Sequence, residues 1–204
     1  MRQVTGSNQQ PQRNDVSIRL NSGGHSFSVD TAMRQVPRDA VAIEFVIDTP
    51  RATLVAREHF AAEAAERYLA VCGIHLLDDE MPIAIDGGAD TIAVVAICRT
   101  AYDTICATFG ERATFTTPLL TDTHPTEQCI TIHVGDGTCY IRYRSADELR
   151  FAEAFTATCD DDVLYYVARL IEAESIPAGI PIYICGSASA ASLLKRHYKQ
   201  VICE

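Results

Sequence analysis

"CITIHVGDGTCYIRY", residues 129–143, decides how this chain is read. Apolar and polar residues alternate on either side of Gly135-Asp136-Gly137. That is the pattern of a half-buried strand, a turn that accepts positive φ, and a returning strand. A second stretch has the same form: "VSIRLNSGGHSFSV", residues 16–29, turns at Gly23-Gly24. The chain therefore builds one hairpin pattern twice.

The segments after each hairpin also run in parallel. After the first, "VAIEFVID" (41–48) reads as a third strand and "ATLVA" (52–56) as a further extended piece. In "REHFAAEAAERYLAVCG" (57–73), Phe60, Ala64, Tyr68 and Cys72 stand at helical spacing, and Gly73 is the stop. "PIAI" (82–85) and "TIAVVAIC" (91–98) read as strands around Asp86-Gly87-Gly88. The second run is apolar enough to be covered on both faces. A helix over 99–109 stops at Gly110, and "ATFTTPLL" (113–120) reads as extended.

The polar, proline-bearing "TDTHPTEQ" (121–128) marks a boundary. Beyond the second hairpin, "ELRFAEAF" (148–155) alternates as a strand. "CDDDVLYYVARLIEAES" (159–175) opens with an Asp cap and acids in its first turn, which the helix dipole favours. Its Tyr165 and Tyr166 are adjacent and must point to different sides, one inward and one outward. "IPIYIC" (180–185) is a buried strand, "SASAASLLKRHY" (187–198) a helix, and "QVIC" (200–203) a closing strand. Each half thus reads as hairpin, third strand, helix, strand, helix. The expected class is α/β, with a tail over 1–15 and two subdomains over 16–124 and 125–204.

Composition narrows the function. Of 204 residues, 48% are hydrophobic and the net charge is −10. Nucleic-acid binding needs clustered Lys and Arg, so it is not expected. No apolar run is long enough to span a bilayer, so no membrane insertion is expected. "MRQVTGSNQQPQRNDV" lacks the apolar core of a secretory signal, and the expected compartment is the cytoplasm. The eight cysteines contain no C-x-x-C pair, and most sit in apolar runs as small hydrophobes. No metal centre follows from them.

A duplicated β-β-β-α-β-α-β unit resembles the superfamily of actin, sugar kinases and Hsp70, whose halves each have a ribonuclease H-like fold. More narrowly, "SIRLNSGGHSFSV" (17–29) and "LRFAEAFTATCDDDVLYYVARLIEAESIPAGIPIYICG" (149–186) resemble a bacterial family of unknown function with an actin-like ATPase fold. "TLVAREHF" (53–60) is similar to that family's middle segment, with Ala56 where a proline is expected. The resemblance implies ATP and magnesium in a cleft between the halves. It would place the phosphates on Asn21, Ser22, Gly23 and Gly24 of the first turn and on Gly135, Asp136, Gly137 and Thr138 of the second. Gly186 and Ser187 would lie against the adenosine.

The superfamily's first turn reads Ile-Asp-Leu-Gly-Thr, whereas this chain has Ile18-Arg19-Leu20-Asn21-Ser22. In the second, His133 stands at the carboxylate position. Neither Arg nor His replaces a carboxylate around Mg²⁺, a hard cation that takes oxygen ligands. Arg19 and His133 are thus expected to line a cleft without catalytic residues, and the turns are expected to be structural. The expectation is a non-catalytic pseudoenzyme that binds another, unidentified protein or forms a homodimer, with no cofactor. The alternative is an ATP binder or slow ATPase whose carboxylate comes from Asp30, Asp48 or Asp136.

Overall fold

The computed structural model describes residues 15–23, 26–27, 29–88, 90–145 and 148–204. For 15, 21–23, 26–27 and 29–31 it describes the backbone alone. Gly24, singled out in the first turn, lies outside the described residues.

The half after the boundary folds as expected. Strands β8 (Cys129–Val134), β9 (Thr138–Ser145) and β10 (Glu148–Thr156) form an antiparallel meander. Helix α4 (Asp160–Ala173) carries the chain back to β11 (Ile182–Cys185), parallel to β8. Helix α5 (Ala188–Leu194) then leads to β12 (Val201–Cys203), parallel to β11. The sheet order is β10-β9-β8-β11-β12. Val163, Val167 and Leu170 of α4 and Ala190, Ala191 and Leu194 of α5 pack on Ile130, Ile132, Ile182 and Ile184.

The cap of α4 differs from expectation. The N-cap is Cys159, and Asp162 closes the box from inside the helix. Its carboxylate accepts from Thr158 N at 2.7 Å and Cys159 N at 3.1 Å.

The first half departs from the simple repeat. Strand β1 (Asp15–Gly23) and β2 (Ser26–Phe27) make a short antiparallel hairpin. The chain then enters helix α1 (Val29–Gln35), which overlaps the end of the stretch read as hairpin and was not read as a helix. Strand β3 (Ala42–Asp48) consequently returns parallel to β1, with Arg19 opposite Val46 and Asn21 opposite Asp48. It is a crossover strand rather than the third strand of a meander.

Residues 52–98 form a separate antiparallel sheet in the order β4-β6-β5, from β4 (Ala52–Ala56), β5 (Glu80–Asp86) and β6 (Thr91–Cys98). Helix α2 (Ala65–Val71) is shorter than its apolar spacing suggests, because 3₁₀ turns at Arg57–His59 and Ala62–Ala64 precede it. Gly73, at φ 75°, follows it. Central β6 is buried from Ile92 to Ile97. Ala93, Val95 and Ile97 face the main core, and Val94 and Ala96 face Ala65 and Leu69 of α2. Helix α3 (Arg99–Phe109) then delivers β7 (Ala113–Thr116) parallel to β3. A 3₁₀ turn at Pro118–Leu120 completes the first half, whose main sheet has the order β2-β1-β3-β7.

Tyr140 of β9 belongs to the core of the first half, together with Ile18, Phe45, Ile47 and Leu119. Tyr140 therefore ties the two halves, and Ala152 and Ala154 of β10 pack against the same core. All eight cysteines are free; only Cys129 and Cys139 are fully buried, fewer than their apolar neighbours suggest. No helix among the described residues is long and apolar enough to cross a membrane.

Candidate functional site

The C-terminal ends of β1, β3 and β8 meet at one place, and the chemistry collects there. Arg19 projects from β1 and Asp48 closes β3. Arg19 Nη1 lies 3.2 Å from Asp48 Oδ2. The Asp48 side chain is fully buried, while that of Arg19 is 42% exposed. The other carboxylate oxygen, Oδ1, is 3.0 Å from the Tyr140 hydroxyl.

That hydroxyl also accepts from Thr49 N at 2.6 Å and lies 3.1 Å from Thr49 O. Its single proton serves one of the two acceptors at a time. Burial and the adjacent Asp48 charge hold the phenol far above its usual range, so it remains a neutral donor.

The second turn presses on the same carboxylate. A Cβ at Gly135 would collide with the Asp48 carboxyl group, so only glycine permits this approach. Gly135 N donates to Thr138 O at 2.7 Å, closing the hairpin. That amide is spent on the turn and does not point to a ligand. Gly137, at φ 73°, supplies the turn geometry, and Gly137 O accepts from Ala157 N at 3.0 Å. Asp136 is exposed, and Thr138 is buried.

His133 lies near the end of β8 beside Tyr140, though not as a cation. Its Nδ1 lies 3.0 Å from Cys185 Sγ, across the β8–β11 pairing. Nε2 is buried without a hydrogen-bond partner among the described residues. Burial first, and then the Arg19 charge, hold the imidazole below its ordinary value of 6.5. Burial likewise pushes the Cys185 thiol up, so the pair is neutral imidazole against neutral thiol. The cavity beside them, reached by Tyr140, Arg142 and Tyr183, measures about 40 Å³. That is room for a water molecule, not for a nucleotide.

A depressed folded-state pKa means that the unfolded chain binds the proton more tightly. Stability due to His133 is therefore complete above about pH 6.5 and is lost as the pH falls below that value. We expect urea midpoints to fall between pH 7.5 and 5.5. The fall should be smaller in His133→Asn, measured side by side so that titrating carboxylates cancel.

The third predicted element explains itself locally. Gly186 has φ 90°, and a Cβ there would run into the Val134 carbonyl. Ser187 caps α5 by accepting from Ala190 N at 3.1 Å and makes a 3.4 Å contact with Asp160 Oδ1. Of the first turn, Asn21, Ser22 and Gly23 end β1, and their side chains lie outside the described residues. So does the side chain of Asp30, in α1.

The structure thus joins Arg19, His133 and Gly135 with Asp48, one of the three candidate acids, and adds Tyr140. Tyr140 was missed because a tyrosine alternating in an apolar strand carries no signal beyond core packing. Among the described residues, no three of His, Cys, Asp and Glu cluster as metal ligands.

Larger cavities lie elsewhere. One of about 730 Å³ opens between the β5–β6 turn and β9. There Arg142 and Arg144 share Asp122, at 3.1 and 2.8 Å, and Arg142 also donates to Leu119 O. Another, of about 490 Å³, separates β4 and the end of α2 from β10 and α4.

Comparison with known proteins supports this architecture. A protein of Bacteroides thetaiotaomicron with an actin-like ATPase fold and unknown function superposes with a TM-score of 0.75. The two are 13% identical, over 98% of this chain and 94% of the other. The cytoplasmic domain of EpsL, an inner membrane component of the type II secretion system of Vibrio cholerae, is more distant. Its TM-score is 0.45 at 12% identity, over 82% of this chain and 80% of that one. No curated protein matches the sequence. Residues 41–202 match the family described as "Protein of unknown function (DUF3822)". The chain has an actin-like ATPase fold, and with that match spanning most of its length it belongs to the DUF3822 family.

Proposed function

We propose that the protein is a non-catalytic relative of the actin-like ATPases and works by binding another protein. In this reading it is cytoplasmic, residues 16–124 and 125–204 are its two subdomains, and residues 1–15 are a tail. The seam between the subdomains is a structural joint.

The observation that carries the reading is the occupation of Asp48. Arg19 and His133 stand where the resemblance places two carboxylates, and the acid that remains nearby is already neutralised. Oδ2 faces the Arg19 guanidinium and Oδ1 faces the Tyr140 hydroxyl. Mg²⁺ needs several oxygen ligands in near-octahedral array. One buried carboxylate with a cation against it does not fit that requirement.

Isothermal titration with Mg-ATP tests the reading. No binding heat is expected at ligand concentrations up to about 1 mM, which corresponds to affinity weaker than about −4 kcal/mol. A magnesium-dependent micromolar signal would overturn it in favour of an ATP binder or slow ATPase. In that case Arg19 would have to swing out and release Asp48 to the metal. Mass measurement in solution at several concentrations separates a monomer from a homodimer.

A further inference from the structure

The groove of about 490 Å³ between the two halves has the features of a docking site. One wall comes from Arg51, Thr53 and Val71; the other comes from Glu153, Phe155 and Tyr166. Each wall joins a sheet edge to a helix, β4 to α2 and β10 to α4. Strand β10 is the outer strand of its five-stranded sheet, and β4 is the outer strand of the three-stranded sheet. These outer strands run close beside each other, with Cα atoms within 8 Å, so the groove is a surface cleft along their junction.

The side chains add apolar and aromatic surface. Val71 is 87% exposed, an unusual state for a branched aliphatic residue. Tyr166 stacks on Phe155 with ring centroids 4.2 Å apart and planes at 13°. Tyr165 meets Tyr166 edge-on at 5.4 Å and is itself 59% exposed. Of the adjacent tyrosines, one is therefore held against the groove and the other is left in solvent.

Charge selects the occupant. Arg51 is already paired: Nε and Nη2 reach Glu80 at 3.0 and 2.6 Å, and Nη2 reaches His75 O at 2.6 Å. Glu153 has no ion pair or hydrogen bond among the described residues. It is open to solvent on one side, while the surrounding walls push its carboxyl above the usual range. A lone carboxylate beside an aromatic stack suits a guanidinium, which pairs with the acid and lays its plane on a ring. The net charge of −10 would also steer a cation toward the molecule.

We propose that this groove docks an arginine-bearing segment of a partner protein, with the guanidinium on Glu153 and the Phe155–Tyr166 stack. The inference rests on the protein-binding reading above and assigns that reading a place.

The test uses the full chain and a capped pentapeptide with a central arginine between β-branched residues. Titration followed by backbone amide shifts should move resonances of β4, β10 and Tyr166. Glu153→Gln should weaken binding about fivefold or more. Glu111→Gln, which removes the same charge from a distant exposed site, should change it less than about twofold. The same peptide with glutamine for arginine should bind as weakly to the parent as the arginine peptide binds to Glu153→Gln.

Equal effects of the two substitutions, shifts outside the groove, or no binding at about 1 mM peptide would overturn the proposal. Such a failure leaves the Mg-ATP result untouched. Nucleotide binding at the seam would sink the non-catalytic reading and say nothing about the groove.

Discussion

Gly186→Ala is expected to lower stability by about 2–5 kcal/mol. Two separate costs add. The backbone at Gly186 has φ 90°, where a side chain is disfavoured by about 1–2 kcal/mol. The new Cβ would also collide with the carbonyl of Val134. That carbonyl belongs to the end of β8, which pairs with β11 and β9 on its two sides, so it cannot step aside. Overpacking against an immovable neighbour costs about 1–3 kcal/mol more.

The urea midpoint should fall by about 1–2 M for a chain of this size. Gly179→Ala provides the control. It too has positive φ, at 95°, but a Cβ there meets nothing within 4 Å. Only the conformational cost applies to it. If the two variants lose the same stability, the collision with Val134 is not what demands glycine.

This comparison bears on function. The resemblance assigns Gly186 to nucleotide contact, yet the packing of β11 on β8 already requires it. A glycine at a motif position is no evidence for a ligand when the fold demands it first.

Asp48→Ala should cost about 2–3 kcal/mol. Removing one partner of a buried pair strands the other, at about 3–5 kcal/mol where both are buried. The partly exposed Arg19 can turn to water, which reduces the loss. Tyr140 cannot, being 1% exposed, although Thr49 O still accepts its proton at 3.1 Å. The truncation also leaves a cavity next to Gly135. Asp48→Asn keeps the volume and one acceptor oxygen, and should lose less.

Thermal or urea unfolding of both variants measures the difference. If Asp48→Ala is neutral or stabilising, the cluster is not a structural joint. Asp48 would then be better explained as a carboxylate retained for a ligand, and the proposed function would need revision.

The second half was legible almost strand by strand. Residues 129–155 alternate with period two, and the glycines fall where a hairpin turns. Residues 160–173 carry an acidic first turn and one apolar face. The first half was legible only in part. The strand at 42–48 was found, but not its direction. Residues 29–35, VDTAMRQ, form α1, yet they follow an alternating stretch and begin with a β-branched residue, so the local pattern continues as strand. Once α1 intervenes, the following strand must return parallel to β1 rather than fold back upon it. The strand runs 52–56, 82–85 and 91–98 were likewise visible, but their assembly into a sheet of their own was not.

The site divides along the same line. Arg19, His133 and Gly135 were picked out because the resemblance aligns them with the superfamily's two turns. Asp48 was one acid among three, and Tyr140 was not singled out at all. Their contact joins positions 92 residues apart in sequence. The charge of His133 was not legible for a related reason: its protonation depends on burial and on Arg19, neither of which is a property of its neighbours in the chain.

The amino-acid order alone determined most of the strands and helices and where they turn. Those properties rest on side-chain period and backbone torsion, which act over a few residues. Only the tertiary structure decided that β3 runs parallel to β1, that Asp48 is neutralised by Arg19 and Tyr140, and that Glu153 lines one groove with Phe155 and Tyr166. These are consequences of which surfaces exclude water together, and that is settled by the packing of the whole chain.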